Sequence, residues 1–292
     1  MTRAYLFAGQ GSQTEGMGNA LVNLGSNAQQ LLNEADAVMG FSLSEVMCNG
    51  SANDLKATAV TQPAMYVYTV IKALTLPNFA PNMLTGHSLG EFSALAAAGA
   101  FSFTDGLNLV KKRAEAMQRA CEATPSTMAA VVGLDNDKVT EICNGITNEI
   151  VVAANFNCPG QLVISGSLAG VAMASELIKQ AGARSVIPLQ VGGAFHSPLM
   201  QPARDELAQA INDTQILPPG CPVYQNVTAL PTQDPDTIRH NLIVHMTSPV
   251  RWQQTLENMI LDGATEFFEF SPKATLAAMV KRTNAAFTAN LI

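Results

Sequence analysis

Met83-Leu84-Thr85-Gly86-His87-Ser88-Leu89-Gly90-Glu91-Phe92-Ser93-Ala94-Leu95 reads as a short apolar run, a turn with a glycine on either side of a serine, and the start of an alanine-rich helix that continues to Ala98. The turn has the form Gly-x-Ser-x-Gly. That spacing has a steric basis: a serine on a sharp strand-to-helix turn projects its hydroxyl outward only if its neighbours lack side chains, so that the flanking backbones can approach closely. The helix that follows points its unpaired N–H groups back toward the serine. Ser88 is therefore the candidate nucleophile.

Working outward, strand-like and helix-like segments alternate, which predicts an α/β protein. Residues 4–8 form a strand-like run that ends in Gly9-Gln10-Gly11-Ser12-Gln13, and residues 64–76 a helix with Gln62-Pro63 at its start. Ser102-Phe103-Thr104-Asp105 resembles a capping box, and Leu107, Val110, Ala114, Met117 and Cys121 follow at three- and four-residue spacing. At about 100° per residue these five make one apolar stripe. Lys112 and Arg119 fall opposite it, whereas Arg113 lies beside Val110 and Met117 and leans toward the interior.

From residue 128 the rhythm changes to strand (128–133), helix (136–145), strand (150–155), strand (161–166), helix (168–181) and strand (184–190). This βαββαβ order is that of a ferredoxin-like unit, and Gly182 stands where a helix C-cap glycine is expected. The unit reads as a subdomain at 127–191 inserted into a larger domain made of 1–126 and 192–292.

The chain has 292 residues, is 48% hydrophobic and 13% charged, and carries a net charge of -7. That excludes disorder and provides no basic stripe for nucleic acid. Neither a secretory signal nor a membrane-length apolar run is present. The five cysteines show no CxxC spacing, so no disulfide framework or metal site is expected. A monomer in a reducing cytoplasm is the expectation.

A serine nucleophile needs a base, and there are four histidines: His87, His196, His240 and His245. His87 adjoins the serine and should point away around the turn. His240 and His245 fall on an amphipathic helix. His196, in Gly193-Ala194-Phe195-His196-Ser197-Pro198, stands where the small unit returns to the large one, and is the base by elimination. Asp105, Asp135, Asp137, Glu141 and Glu176 read as caps or exposed helix positions, so a Ser–His dyad oriented by a backbone carbonyl is expected rather than a triad.

Phe7-Ala8-Gly9-Gln10-Gly11-Ser12-Gln13, Thr61-Gln62-Pro63-Ala64, Gly86-His87-Ser88-Leu89-Gly90-Glu91, Asn155-Phe156-Asn157-Cys158-Pro159-Gly160-Gln161, Ala194-Phe195-His196-Ser197 and Ser248-Pro249-Val250-Arg251-Trp252 occur in this order. Together they resemble the malonyl-CoA:acyl carrier protein transacylase family over nearly the whole chain, and most closely the discrete, trans-acting acyltransferases of polyketide synthases. The resemblance implies an α/β-hydrolase-like large domain with the site in the cleft against the ferredoxin-like subdomain. It implies Ser88 as nucleophile, His196 as base, and the N–H groups of Gln10 and Leu89 as oxyanion hole. Arg113 would bind the malonyl carboxylate with help from Gln62, with His87 and Arg251 also placed around the substrate. Phe195, just before the histidine, would fill the space of a 2-methyl branch and favour malonyl over methylmalonyl.

No cofactor is implied. The partners would be malonyl-CoA and an acyl carrier protein or carrier domain bearing phosphopantetheine. A trans-acting acyl hydrolase of the same fold is the alternative. Three positions depart from the family pattern. Arg251 replaces a usual Gln, which is tolerable if the backbone carbonyl there orients His196. Ala114 follows Arg113 in place of Gly, and Ser271-Pro272-Lys273 replaces a Gly-Pro-Gly turn.

Overall fold

A computed structural model describes residues 1–292. The chain opens with β1 (Arg3–Phe7), followed by α1 (Asn19–Val22), α2 (Ser26–Met39), α3 (Leu43–Asn49) and α4 (Thr58–Thr75). The serine turn joins β2 (Met83–Gly86) to α5 (Gly90–Ala97), and the long α6 (Phe103–Ala123) comes next. A second group comprises β3 (Ser126–Val132), α7 (Asn136–Gly145), β4 (Val151–Cys158), β5 (Gln161–Ser167), α8 (Leu168–Gln180) and β6 (Ser185–Pro188). The chain then returns through α9 (Gln201–Asp213), β7 (Val223–Tyr224), β8 (Pro231–Thr232) and α10 (Pro235–Val244). It ends with α11 (Trp252–Leu261), β9 (Glu266–Phe270), α12 (Leu276–Thr283) and β10 (Ala289–Leu291).

Two sheets result. The larger has the order β10-β9-β1-β2-β7-β8, parallel throughout except for the short antiparallel β8. Its central strands are apolar on both faces, as a sheet covered by helices on both sides requires: Ala4, Tyr5, Leu6 and Phe7 of β1 are all buried. The smaller sheet, β4-β5-β3-β6, is antiparallel. It has its own core of Ala129, Val131, Val139, Cys143, Ile146, Val151, Leu162, Ile164, Val171, Ala174 and Ile178, separate from the main one. The two units meet where β4 reaches the main body: the Phe156 N–H donates to the Val250 carbonyl (2.9 Å) and the Val250 N–H to the Ala154 carbonyl (2.8 Å).

The capping box is present at α6. The Ser102 hydroxyl accepts from the Asp105 N–H (3.0 Å) and donates to the Asp105 carboxylate (2.7 Å). Arg113 is only 1% exposed, so the inward lean read from the helical wheel is realised. At α4 the expected start is corrected: the helix begins at Thr58, and Pro63 lies inside it. Proline prefers the first helical turn because it lacks an N–H, which is why the sequence reading placed the start there. Here a preceding turn forms anyway, with the Thr61 hydroxyl donating to the Leu55 (2.5 Å) and Ala57 (3.1 Å) carbonyls. At Ser271-Pro272-Lys273 no residue has a positive φ, so that turn needs no glycine. Glu269 instead accepts the N–H groups of Thr275, Leu276 and Ala277 at 2.8–2.9 Å.

The glycines of the serine turn are dictated by contact. A Cβ on Gly86 would lie 1.9 Å from the Gly90 backbone, and one on Gly90 would lie 2.0 Å from the Phe7 carbonyl oxygen. Gly90→Ala should therefore force α5 away from β1 and destabilise the protein by about 3 kcal/mol, the upper end of the usual cost of overpacking, because the clash is with fixed backbone. Thermal or urea unfolding reads this directly, and an unchanged midpoint would contradict the packing account.

Candidate active site

Ser88 sits two residues beyond β2 with φ +52°, the left-handed backbone of a strained turn. Its Oγ lies 2.7 Å from His196 Nε2 and accepts from Arg113 Nη2 at 3.1 Å. His196 also has a positive φ (+58°), and its ring is buried. Its Nδ1 faces the carbonyls of His245 (3.0 Å) and Ser248 (3.2 Å). A carbonyl can only accept, so Nδ1 carries the proton and Nε2 presents its lone pair to Ser88. Arg113 occupies a lone pair of Oγ as donor, which leaves the serine proton free to point at Nε2.

Burial pushes His196 down to about 3, with the Arg113 charge adding to the effect, so the ring is neutral at pH 7 and ready to accept a proton. The His245 ring packs 5.0 Å away, centroid to centroid.

Arg113 is the buried cation of the site. Its Nη1 donates to Gln62 Oε1 (2.5 Å), and Gln62 Nε2 reaches Gln10 Oε1 (3.4 Å) and Met117 Sδ (3.3 Å). Burial lowers Arg113 to about 10, offset in part by the charge of Glu91, so it stays protonated at neutral pH. No carboxylate of the protein forms an ion pair with it, and its Nε has no partner. A desolvated guanidinium left this way is costly unless an anion arrives to take its donors.

These groups line one cleft of about 550 Å³ including its mouth. Gln10, Gln62, His87, Ser88, Leu89, Arg113, Phe195 and His196 all face it. The backbone N–H groups of Gln10 and Leu89 make no hydrogen bond within the chain, whereas the Ser88 N–H is taken by Asn226 Oδ1 at 2.7 Å. Two backbone donors of the cleft that holds Ser88 are thus without a partner in the chain. His87 turns away from Ser88 Oγ: its Nε2 meets Asn157 Oδ1 (2.9 Å) and its ring stands edge-on to Trp252 (5.2 Å).

Arg251 is the residue the structure does not bring in. It is exposed at the start of α11, outside the cleft, with its N–H donating to the Asn226 carbonyl (3.0 Å) and its own carbonyl accepting from Thr255. The carbonyls that orient His196 are those of His245 and Ser248, not that of residue 251, because residue 251's carbonyl already begins the α11 ladder.

The family model described as "Acyl transferase domain" matches residues 4–290. A malonyl CoA-acyl carrier protein transacylase of Bacillus subtilis (strain 168) is 40% identical over 285 residues, which is 96% of this chain and 90% of that protein. The chain belongs to the malonyl-CoA:acyl carrier protein transacylase family. The solved acyl carrier protein S-malonyltransferase of Vibrio cholerae O1 superposes with a TM-score of 0.95 at 36% identity, covering 100% of this chain and 97% of that one. A malonyl-transacylase solved in complex with its type II PKS acyl-carrier protein gives 0.96 at 34% identity, covering 100% and 96%.

Beyond the residues expected in a transacylase of this family, the cleft includes Met117, Met128, Asn155, Val163, Leu189 and Val191. Met117 was readable, since it lies one helical turn after Arg113 on the same face. The others come from the small unit and the irregular segment after β6 that leads out of it. Their alternation identifies a buried face but not that the face closes over Ser88.

Proposed function

We propose that the protein moves a malonyl group from malonyl-CoA to the phosphopantetheine thiol of an acyl carrier protein through a malonyl-Ser88 ester. The observation that carries this reading is Arg113: a buried guanidinium in ion-pair contact with no protein carboxylate, 3.1 Å from the Ser88 oxygen. Such a group favours an acyl chain that brings its own carboxylate, and a planar fork binds it in two places.

The chemistry follows from the geometry. His196 Nε2 takes the Ser88 proton as Oγ attacks the thioester carbonyl, and the Gln10 and Leu89 N–H groups hold the oxyanion. Collapse of the tetrahedral intermediate breaks the C–S bond, and His196 returns its proton to the departing CoA sulfur. The carrier thiol then gives its proton to His196 and attacks the ester, and Oγ leaves with that proton restored: a ping-pong cycle. His196 keeps its tautomer through the His245 and Ser248 carbonyls, so no carboxylate third member is needed. The reaction uses no cofactor of its own, because phosphopantetheine arrives on the partner. A second cleft shares Gln10, Leu189 and Val191 with the first and opens past Lys56 and Thr58, a path for the pantetheine arm.

The same reading takes the large unit (1–126 and 192–292) as α/β-hydrolase-like and 127–191 as an inserted ferredoxin-like subdomain. The separate core of the small unit and its strand order support this. It takes the protein as a cytoplasmic monomer serving a polyketide synthase in trans; no helix is long and apolar enough to cross a membrane.

Phe195 packs into the cleft wall beside His196, with its carbonyl accepting from the Ser165 hydroxyl (2.7 Å). Phe195→Ala should open room for a 2-methyl branch and shift the kcat/KM ratio of methylmalonyl-CoA to malonyl-CoA upward by roughly 10-fold or more, the scale of one methyl group in a pocket. An unchanged ratio would make Phe195 ordinary packing. The transfer reading itself is tested by supplying malonyl-CoA and a holo carrier protein. Malonyl carrier is expected; free malonate without malonyl carrier would instead mean a hydrolase.

A further inference from the structure

Asn226, fully buried two residues beyond β7, is bonded to the serine turn on both sides. Its Oδ1 accepts from the Ser88 N–H (2.7 Å), and its Nδ2 donates to the Gly86 carbonyl (2.7 Å). One amide therefore bridges the last residue of β2 and the strained residue that follows His87.

Asn226 is itself fixed. Its N–H donates to Glu91 Oε2 (2.6 Å), and Gln225 Nε2 donates to the other oxygen, Oε1 (3.0 Å). Glu91 lies in the first turn of α5 and is fully buried, so the strap after β7 is tied to the turn from both its strand side and its helix side. Gln225 is held in turn by Asn241 Nδ2 (2.8 Å). A carboxylate this deep is retained only with its oxygens paired. Neither Asn226 nor Glu91 lines the cleft, so neither touches substrate.

We infer that Asn226 is a positioning residue for the nucleophile: its amide holds the Ser88 backbone so that Oγ stays on His196 Nε2, and Glu91 anchors that amide. The same bond takes up the Ser88 N–H, which leaves Gln10 and Leu89 as the oxyanion donors. This inference rests on Ser88 being the acylated residue.

The test uses the full chain. Acylation by malonyl-CoA is followed in a single turnover by intact mass, with the rate normalised to the number of Ser88 sites that finally load. For Asn226→Ala the rate per site should fall roughly 100-fold, the scale of a displaced reacting group. The fall should be equal for malonyl and acetyl donors, with half-saturation by malonyl-CoA unmoved, because Arg113 and the cleft wall are intact.

Asn226→Asp gives an independent signature. A protonated Asp reproduces both bonds, whereas an ionised one turns a lone pair on the Gly86 carbonyl beside the Glu91 carboxyl. Its rate relative to the unaltered protein should rise as pH is lowered below neutrality, since burial near another carboxyl raises the pKa of the new acid. The other charged and titratable groups coupled to this corner are Glu91 on α5, Arg113 on α6, and the His87, His196 and His245 rings. All are present in both proteins; burial pushes Glu91 itself up to about 7, so the new acid titrates together with it and the ratio reads the pair formed by position 226 and Glu91. A residue with only a packing role would lower the number of loadable sites and leave rate per site and pH ratio unchanged; that result would overturn the inference. Failure of the unaltered protein to load Ser88 would overturn it together with the reading beneath it, whereas full-rate loading by Asn226→Ala would overturn it alone.

Discussion

Ser88→Ala is expected to lower malonyl transfer by roughly 10⁴- to 10⁶-fold, and His196→Ala by a similar factor, with the double variant no worse than either single one. Residues that act as one unit behave in this way: once the attacking oxygen or its base is gone, the partner has nothing left to do. The 2.7 Å contact between Oγ and Nε2 is what makes them one unit here. The residual activity should reflect Arg113 and the two oxyanion donors alone.

The pH profile follows from the same pair. Activity requires neutral His196, and burial holds its pKa down at about 3, so protonation removes the base only when pH falls toward that value. The acid limb of kcat/KM, which reports the free enzyme, should therefore be absent around pH 6.5, where an exposed histidine would titrate. A limb centred near 6.5 would mean that the ring is far more solvated than the structure places it. Stability runs with the same sign. The folded pKa is below the unfolded one, so His196 favours the folded state above about pH 6.5 and progressively disfavours it as pH falls from there, because the unfolded chain takes up the proton first.

Arg113→Ala is expected to cut kcat/KM for malonyl-CoA by roughly 10²- to 10³-fold, the cost of removing one partner of a buried charge pair. Loss for acetyl-CoA should be much smaller. Arg113 also donates to Ser88 Oγ, so some loss on every acyl group is built in. The decisive quantity is the malonyl-to-acetyl ratio, which should collapse toward or below unity. Arg113→Lys should recover little, because an ammonium cannot hold Gln62 Oε1 and a substrate carboxylate in one plane. Equal loss on both donors would make Arg113 a structural residue.

Much of this was legible because particular residues carry strong local signals. Gly86 and Gly90 have a single steric explanation, and the structure shows the contacts that demand it. Arg113 was readable because Ser102 and Asp105 set the helical phase, and a cation beside an apolar stripe has few ways to be stable. The βαββαβ order was readable because short strands alternate cleanly with capped helices.

What was not legible depends on backbone or on distant contacts. The carbonyls of His245 and Ser248 have no residue-type signature, so the carbonyl at 251 was a reasonable but wrong choice for orienting His196. Asn226 is one amide among many until the fold carries it back to the serine turn. Pro63 misled because tertiary burial of α4 overrode the preference of proline for a helix start. The two-residue β7 is too short for any alternation to show.

Whether Ser88 carries the malonyl group is read from the intact mass of the protein after exposure to malonyl-CoA alone, with peptide mapping of any adduct. One malonyl group per chain is expected, on Ser88, discharged when a holo carrier protein is added. An unmodified protein that nonetheless transfers malonyl, or an adduct on another residue, would contradict that expectation.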